Sequence, residues 1–117
     1  MDITLEKKND YYTLLVNEEV VGGAWVGRTE IVKPKEYTRT HRDKVVMSFF
    51  INPNFRNRGY GKILMNKIIE SEWKENTKTL RLGVEKDNLF AIKIYESSGF
   101  LIDGEVSSNM HYMWKKI

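Results

Sequence analysis

Residues 56–62 have the sequence Arg-Asn-Arg-Gly-Tyr-Gly-Lys, and they separate two segments of different character. The preceding run, Val45 to Ile51, is almost continuously apolar, whereas Tyr60 to Trp73 has the spacing of an amphipathic helix. A strand that turns through glycines into a helix presents unpaired N–H groups and the positive end of the helix dipole. Because glycine has no Cβ, a ligand can approach that backbone closely. The segment therefore predicts a site for phosphate or pyrophosphate.

Known phosphate-binding motifs narrow this interpretation. A Walker loop has four residues between its glycine and a Gly-Lys pair, followed by Ser or Thr, and that pattern is absent. The dinucleotide fingerprint Gly-x-Gly-x-x-Gly lacks its third glycine here. Arg56, Arg58 and Lys62 add positive charge around the turn. The alternative is that the glycines serve helix packing and that the charges are only solvated surface groups.

Two ordered sequence blocks resemble the GNAT family (GCN5-related N-acetyltransferases). The first block is Arg56-x-x-Gly59-x-Gly61. It follows Ile51-Asn52-Pro53 and is similar to the family's Arg/Gln-x-x-Gly-x-Gly/Ala loop after a strand. The second block contains Leu82, Val84, Asn88, Ala91, Tyr95-Glu96 and Gly99-Phe100, and it resembles the family's Asn-x-x-Ala-x-x-x-Tyr-x-x-x-Gly-Phe. The resemblance is close over residues 44 to 103 and looser in the flanking strands.

The resemblance implies an N-acetyltransferase that uses acetyl-CoA as co-substrate, with direct attack of a primary amine on the thioester in a ternary complex. It implies that the backbone of Phe49, Phe50 and Ile51 pairs with the pantetheine arm, and that the Ile51 N–H polarises the thioester carbonyl. The loop residues would bind the pyrophosphate: Arg56, Asn57, Arg58, Gly59, Tyr60, Gly61 and Lys62. A bulky β-branched residue at Gly59 or Gly61 is accordingly expected to block acetyl-CoA binding while the fold survives.

Asn88 and Tyr95 match two further functional positions of the family. Asn88 would bind acetyl-CoA near its pantetheine arm, although an asparagine before a helix is also a common N-cap. Tyr95 would protonate the departing thiolate, and an unperturbed phenol with a pKa of ~10 suits that task at neutral pH. The alternative for Tyr95 is a core aromatic on the buried stripe of the second helix.

The general base is the point at which the chain departs from the family. The positions at which members carry a glutamate hold Val45 and Gly83 here. The remaining candidates are Glu30, His41, Asp43, Glu85 and His111. The missing base and the short segment before the second strand favour an alternative function, an inactive module that binds CoA or another protein. Tyr95 and the intact loop favour an active enzyme.

The segment between the first two strands is short for this family. Members usually carry two helices between their first and second strands, and Lys7 to Asp10 stand in their place here. We therefore expect an open acceptor site that a large acceptor or a second subunit, as in a homodimer, completes. The acceptor is either a small amine or a protein lysine or N-terminus. A loop at residues 33–44 is expected to border the site, and its mixed charges, with Glu36 and Asp43, argue against nucleic-acid binding.

Composition sets the remaining bounds. The length of 117 residues predicts one domain, residues 1–117. The absence of cysteine excludes disulfides and thiol nucleophiles, and the two histidines form no recognisable metal motif. No apolar run approaches the ~18 residues that a membrane span requires, and the start of the sequence has no signal-peptide pattern. We expect a cytoplasmic protein with no metal.

Hydrophobic periodicity predicts four strands, a helix, a strand, a helix and two strands. This order indicates an α+β fold with one mixed sheet of about seven strands flanked by two helices. The predicted strands are residues 2–6, 11–16, 20–31, 45–51, 79–85, 100–106 and 110–115. The helices run from Gly59 to about Lys74 and from a cap at Asp87 or Asn88 to Gly99. Val45 to Ile51 is expected to be a central strand that is buried on both faces.

Overall fold

The structure, a computed structural model, describes residues 1–28 and 42–117. Within these residues it contains one seven-stranded sheet and two α-helices, which confirms the predicted fold class. The elements are β1 (Ile3–Lys8), β2 (Tyr11–Val16), β3 (Glu19–Gly27), β4 (Asp43–Ile51), α1 (Tyr60–Lys74), β5 (Thr79–Glu85), α2 (Leu89–Ser97), β6 (Leu101–Ser107) and β7 (Met110–Lys116), with a single 3₁₀ turn at Pro53–Phe55. No helix in the described part of the chain is long and apolar enough to cross a membrane.

The sheet has the strand order β1-β2-β3-β4-β5-β7-β6. Within it β4 and β5 are parallel, and every other neighbouring pair is antiparallel. β1 is longer than predicted because Lys7 and Lys8 pair with Tyr12 and Tyr11. Only Asn9 and Asp10 are left to form the turn, so no helix separates the first two strands, as predicted. The predicted end of the third strand, at Ile31, lies outside the described residues.

β4 and β5 separate soon after they begin. They are paired only where Asp43 to Val45 lie beside Thr79 to Arg81. A bulge at Ser48, whose φ is 53°, also breaks the register between β4 and β3. The prediction that the fourth strand is buried on both faces is therefore wrong for its second half. Phe50, for example, is 41% exposed, whereas Phe49 and Ile51 on either side of it pack with the core.

Both helices contribute to one hydrophobic core. The predicted stripe of α1 is confirmed by the burial of Leu64, Met65 and Ile68. The α2 side of the core is formed by Ala91, Ile92 and Tyr95. Alternating residues of β5 pack into the same core: Leu80, Leu82 and Val84.

A buried carboxylate fastens the carboxyl end of α1 to the sheet. Glu72 is fully buried, and its Oε1 accepts hydrogen bonds from Lys44 Nζ (2.6 Å) and Thr77 Oγ1 (2.7 Å). Its Oε2 accepts from the Tyr12 hydroxyl and from Lys7 Nζ (3.4 Å). Burial alone would raise the pKa of Glu72, but the hydrogen bonds from Lys44, Tyr12 and Thr77 outweigh it and lower that pKa to about 2.

Candidate active site

The loop before α1 has the backbone shape that its sequence predicts. Asn57 and Gly59 both have left-handed conformations, with φ of 63° and 83°, which asparagine and glycine adopt more readily than other residues. Gly59 is the N-cap of α1, and no side chain caps the helix. The first turn contains no acidic residue. Its amide groups and the positive end of the helix dipole are therefore available to an anion.

A cavity of about 360 Å³ adjoins this loop. Seven of the predicted binding residues line it: Ile51, Arg56, Asn57, Gly59, Tyr60, Gly61 and Lys62. Lys93 of α2 also lines the cavity, and sequence analysis missed it. No motif marks Lys93, because its position depends on how α2 packs beside α1. With Arg56 and Lys62, it makes the cavity wall cationic.

The two arginines of the loop brace it through local contacts. Arg56 Nε donates a hydrogen bond to the carbonyl oxygen of Ile51 at 3.0 Å, and its guanidinium carbon lies 5.3 Å from the centre of the Phe90 ring. The guanidinium carbon of Arg58 lies 5.5 Å from the centre of the Phe55 ring. Arg58 does not line the cavity. Arg56 keeps further N–H donors for an anion, because a guanidinium has five in all.

The two glycines of the loop have different structural roles. A Cβ at Gly61 would overlap the side chain of Ile94 in α2, whereas a Cβ at Gly59 would meet no heavy atom within 4 Å. Gly61 thus lets α1 approach the Ile94 side chain of α2 closely. The expectation that the fold survives a bulky β-branched residue there conflicts with this contact, since overpacking typically costs ~1–3 kcal/mol. Gly59 is needed for its positive φ.

A second cavity, of about 520 Å³, fills the cleft where β4 and β5 separate. The predicted residues Phe49, Asn88 and Tyr95 line it, together with Gly83 and Glu85 of β5. The two cavities follow one another along the same elements, because Phe49 and Ile51 lie on β4 while Ile94 and Tyr95 are consecutive on α2. Phe50 lines neither cavity. Phe50 is predicted to pair with the pantetheine arm through its backbone, so the position of its ring does not test that prediction.

Tyr95 belongs to the core and to the cleft at once. It is 6% exposed, and its ring contacts those of Phe49 and Phe100, with centroids 5.4 and 6.0 Å away. Burial raises the pKa of Tyr95 to about 12, because a phenolate is poorly solvated among apolar side chains. The hydroxyl is therefore held in its protonated form at neutral pH.

Asn88 has the capping role that its position before a helix predicts. Its Oδ1 accepts a hydrogen bond from the Ala91 N–H at 3.2 Å. Its side-chain NH₂ group is not used by this bond and can still donate to a ligand in the cleft.

The candidate bases do not all reach the cleft. Glu85 lines it, whereas Asp43 and His111 do not. Asp43 is buried and accepts a hydrogen bond from the Thr79 hydroxyl. Glu30 and His41 lie outside the described residues. Within the described part of the chain, no three acidic or histidine side chains are grouped as metal ligands.

Comparison with known proteins bears on this architecture. One similar protein is an uncharacterized N-acetyltransferase of Methanocaldococcus jannaschii, 38% identical over 55 residues that make up 47% of this chain and 24% of that protein. The PaiA N-acetyltransferase of Thermoplasma acidophilum, solved in complex with coenzyme A, superposes with a TM-score of 0.73 at 16% identity, over 92% of this chain and 60% of the other. Ard1 of Thermoplasma volcanium has a TM-score of 0.71 and 27% identity, over 92% of this chain and 70% of the other.

These relatives are longer than the chain. The chain spans about a quarter of the Methanocaldococcus jannaschii protein and 60 to 70% of the two solved structures. The sequence model of the acetyltransferase (GNAT) family matches residues 2–100. That match includes both sequence blocks, the loop before α1 and every residue that lines the cleft except Val106 and Met110. The chain belongs to the acetyltransferase (GNAT) family.

Proposed function

We propose that this protein transfers the acetyl group of acetyl-CoA to a primary amine by direct attack in a ternary complex. The observation that carries the proposal is the pair of neighbouring cavities. One lies at the amino-terminal end of α1 and the other beside the Tyr95 ring. An extended ligand with an anionic end and a reactive end fits this arrangement. The PaiA structure, which has the same fold, contains coenzyme A.

The loop and its cations would hold the anionic end of acetyl-CoA. The amides at the start of α1 would donate to the pyrophosphate, while Lys62 of α1 and Lys93 of α2 would add charge from the cavity lining. Along β4, the backbone of Phe49, Phe50 and Ile51 would pair with the pantetheine arm between the two cavities. Asn88 would donate from its free amide group.

Tyr95 would act as the general acid. Acetyl-CoA supplies an acyl group on a thiolate leaving group, and the departing sulfur needs a proton. Tyr95 lines the cleft and stays protonated at neutral pH because burial raises its pKa to about 12. A positioned proton donor typically contributes roughly 10²- to 10⁴-fold to a rate.

Acetyl-CoA binding and acetyl transfer test the proposal together. Calorimetry with acetyl-CoA measures the first. Release of free thiol in the presence of simple amines, lysine peptides and peptides with free N-termini measures the second. Transfer to any acceptor above the rate of hydrolysis supports an enzyme, and the preferred acceptor identifies its class. Sedimentation with and without that acceptor shows whether a second copy of the chain completes the site.

The alternative is a module that binds CoA or another protein without catalysis. It is favoured by two observations: only Asn9 and Asp10 lie between β1 and β2, and the family's glutamate positions hold Val45 and Gly83. Tight binding of acetyl-CoA with no transfer to the whole acceptor panel would establish this alternative.

The cationic wall gives a prediction about affinity. Lys62→Ala and Lys93→Ala should each weaken acetyl-CoA binding by roughly tenfold. A charge-assisted hydrogen bond contributes ~1.5–3 kcal/mol, and solvent screens part of that free energy. The loss should shrink at high salt. Lys74→Ala removes the same charge at the far end of α1, where Lys74 pairs with exposed Glu70, and should leave affinity unchanged. Equal affinities for all three variants would place the phosphates elsewhere.

A further inference from the structure

We propose that Glu85 binds the acceptor amine in the cleft and accepts its proton. The inference rests on the proposed function and assigns the group that the sequence comparison left open. Glu85 is the last residue of β5, at the end where that strand has moved away from β4. Its side chain is exposed and lines the cleft together with Tyr95.

The lining of the cleft leaves one proton acceptor. Among the described residues that line it, only Tyr95 and Glu85 have titratable side chains. Tyr95 is buried and protonated, so it can donate a proton but cannot accept one. The reaction also needs a proton acceptor, because an amine attacks only as its neutral form and loses a proton, and the Glu85 carboxylate is the group in this lining that can take it.

The shape of β5 also gives the acceptor room. Gly83 and Glu85 lie on the same face of the strand, since side chains alternate. Both line the cleft. Gly83 has no side chain, so an amine can pass above it to reach the carboxylate. Gly83 is one of the two positions at which family members carry a glutamate. The chain thus has space at that position and a carboxylate, Glu85, two residues further along.

The charges around Glu85 favour a cationic ligand. Glu85 makes no ion pair within the described residues, and the neighbouring Lys86 is paired with Glu105 at 2.6 Å. Asp87 lies with Glu85 and Lys86 around an adjoining polar depression. His111 pairs across the sheet with Val84, beside Glu85. The carboxylate of Glu85 is therefore available to an ammonium group.

The proposed proton transfers balance. The Glu85 carboxylate takes one proton from the ammonium group, and the neutral nitrogen forms a bond to the acyl carbon while the carbon–sulfur bond breaks. Tyr95 gives its proton to the thiolate and regains one from the new amide nitrogen through water. Glu85 then releases its proton to solvent. The net reaction converts one ammonium and one thioester into an amide, a thiol and a proton.

The first test measures binding and needs no turnover. Ethylammonium chloride is titrated into the protein, and the amide NMR signals of Gly83 and Tyr95 are followed. We expect the signals to shift until they saturate. The affinity for ethylammonium should fall roughly tenfold in Glu85→Gln, because a charge-assisted hydrogen bond is lost. Asp87→Asn is the matched control, with the same charge change two residues away and outside the cleft. Equal binding by wild type and both variants would overturn the proposal.

The second test measures transfer to a peptide that has a free N-terminus and one lysine. Glu85→Gln should lower kcat/KM roughly 10²- to 10⁴-fold at pH 7, with unchanged acetyl-CoA affinity. The deficit should shrink as the pH approaches the amine's own pKa, ~8 for an α-amino group and ~10.4 for lysine. A pH-independent deficit, or full activity, would exclude Glu85 as the proton acceptor. If the wild type transfers nothing to any acceptor, the proposed function itself fails.

Discussion

Tyr95→Phe is expected to lower kcat by roughly 10²- to 10⁴-fold, the usual contribution of a positioned acid, with little change in acetyl-CoA affinity. The substitution keeps the ring that contacts Phe49 and Phe100 and removes only the hydroxyl. Thiolate would then leave without a proton donor beside it. Steady-state kinetics on the preferred acceptor and calorimetry with acetyl-CoA separate the two quantities.

The pH dependence gives this prediction a second readout. Because burial raises the pKa of Tyr95 to about 12, its hydroxyl stays protonated throughout the neutral and mildly alkaline range. Ionisation of Tyr95 should therefore cause no fall in kcat until the pH approaches 12. A Tyr95→Phe variant that keeps full turnover and a native unfolding temperature would show that Tyr95 is only a core residue.

Glu72→Ala is expected to lower the free energy of unfolding by ~3–5 kcal/mol, the range for removing one partner of a buried ion pair. The substitution would leave the Lys44 ammonium group and the Thr77 and Tyr12 hydroxyls without their shared acceptor. Denaturation in urea measures the loss. Glu75→Ala is the matched control, since Glu75 is more exposed and pairs with Lys7, and surface pairs contribute only ~0–1 kcal/mol.

The contribution of Glu72 should also be visible in the wild-type protein as a loss of stability at acidic pH. The pKa of Glu72 is about 2 in the folded state and ~4.3 in an unfolded chain, so the folded state favours the ionised form. Its stabilising contribution is complete above the unfolded value and is lost as the pH falls from there towards 2. Glu72→Gln should flatten the stability profile over that window. An unchanged acid slope in this variant would contradict the assignment.

The sequence was sufficient for features that are encoded locally. Residues 56–62 determine a left-handed loop and a helix start through Asn57 and Gly59, so their geometry could be predicted without knowledge of the rest of the fold. The cap at Asn88 and the alternating burial of β5 are local in the same sense. These features placed the two sequence blocks on the correct elements.

Other features depend on contacts between distant segments, and sequence reasoning missed them. An apolar run at Val45 to Ile51 gives no sign that the neighbouring strand turns away, or that the side chain of Phe50 is left uncovered. The packing role of Gly61 requires knowledge that Ile94 lies against it. Glu72 looks like any polar residue of an amphipathic helix, because its partners come from separate strands and the following loop.

The short seam between β4 and β5 also has a consequence for how the protein folds. Apart from this three-residue pairing, the sheet consists of two antiparallel units, β1 to β4 and β5 to β7, each built mainly from contacts between neighbouring segments. Units of low contact order form quickly and often open as cooperative blocks. Closure of the seam, with α1 as the crossover, would then be the late step that joins them. Hydrogen exchange at Val45 and Arg81 would report it.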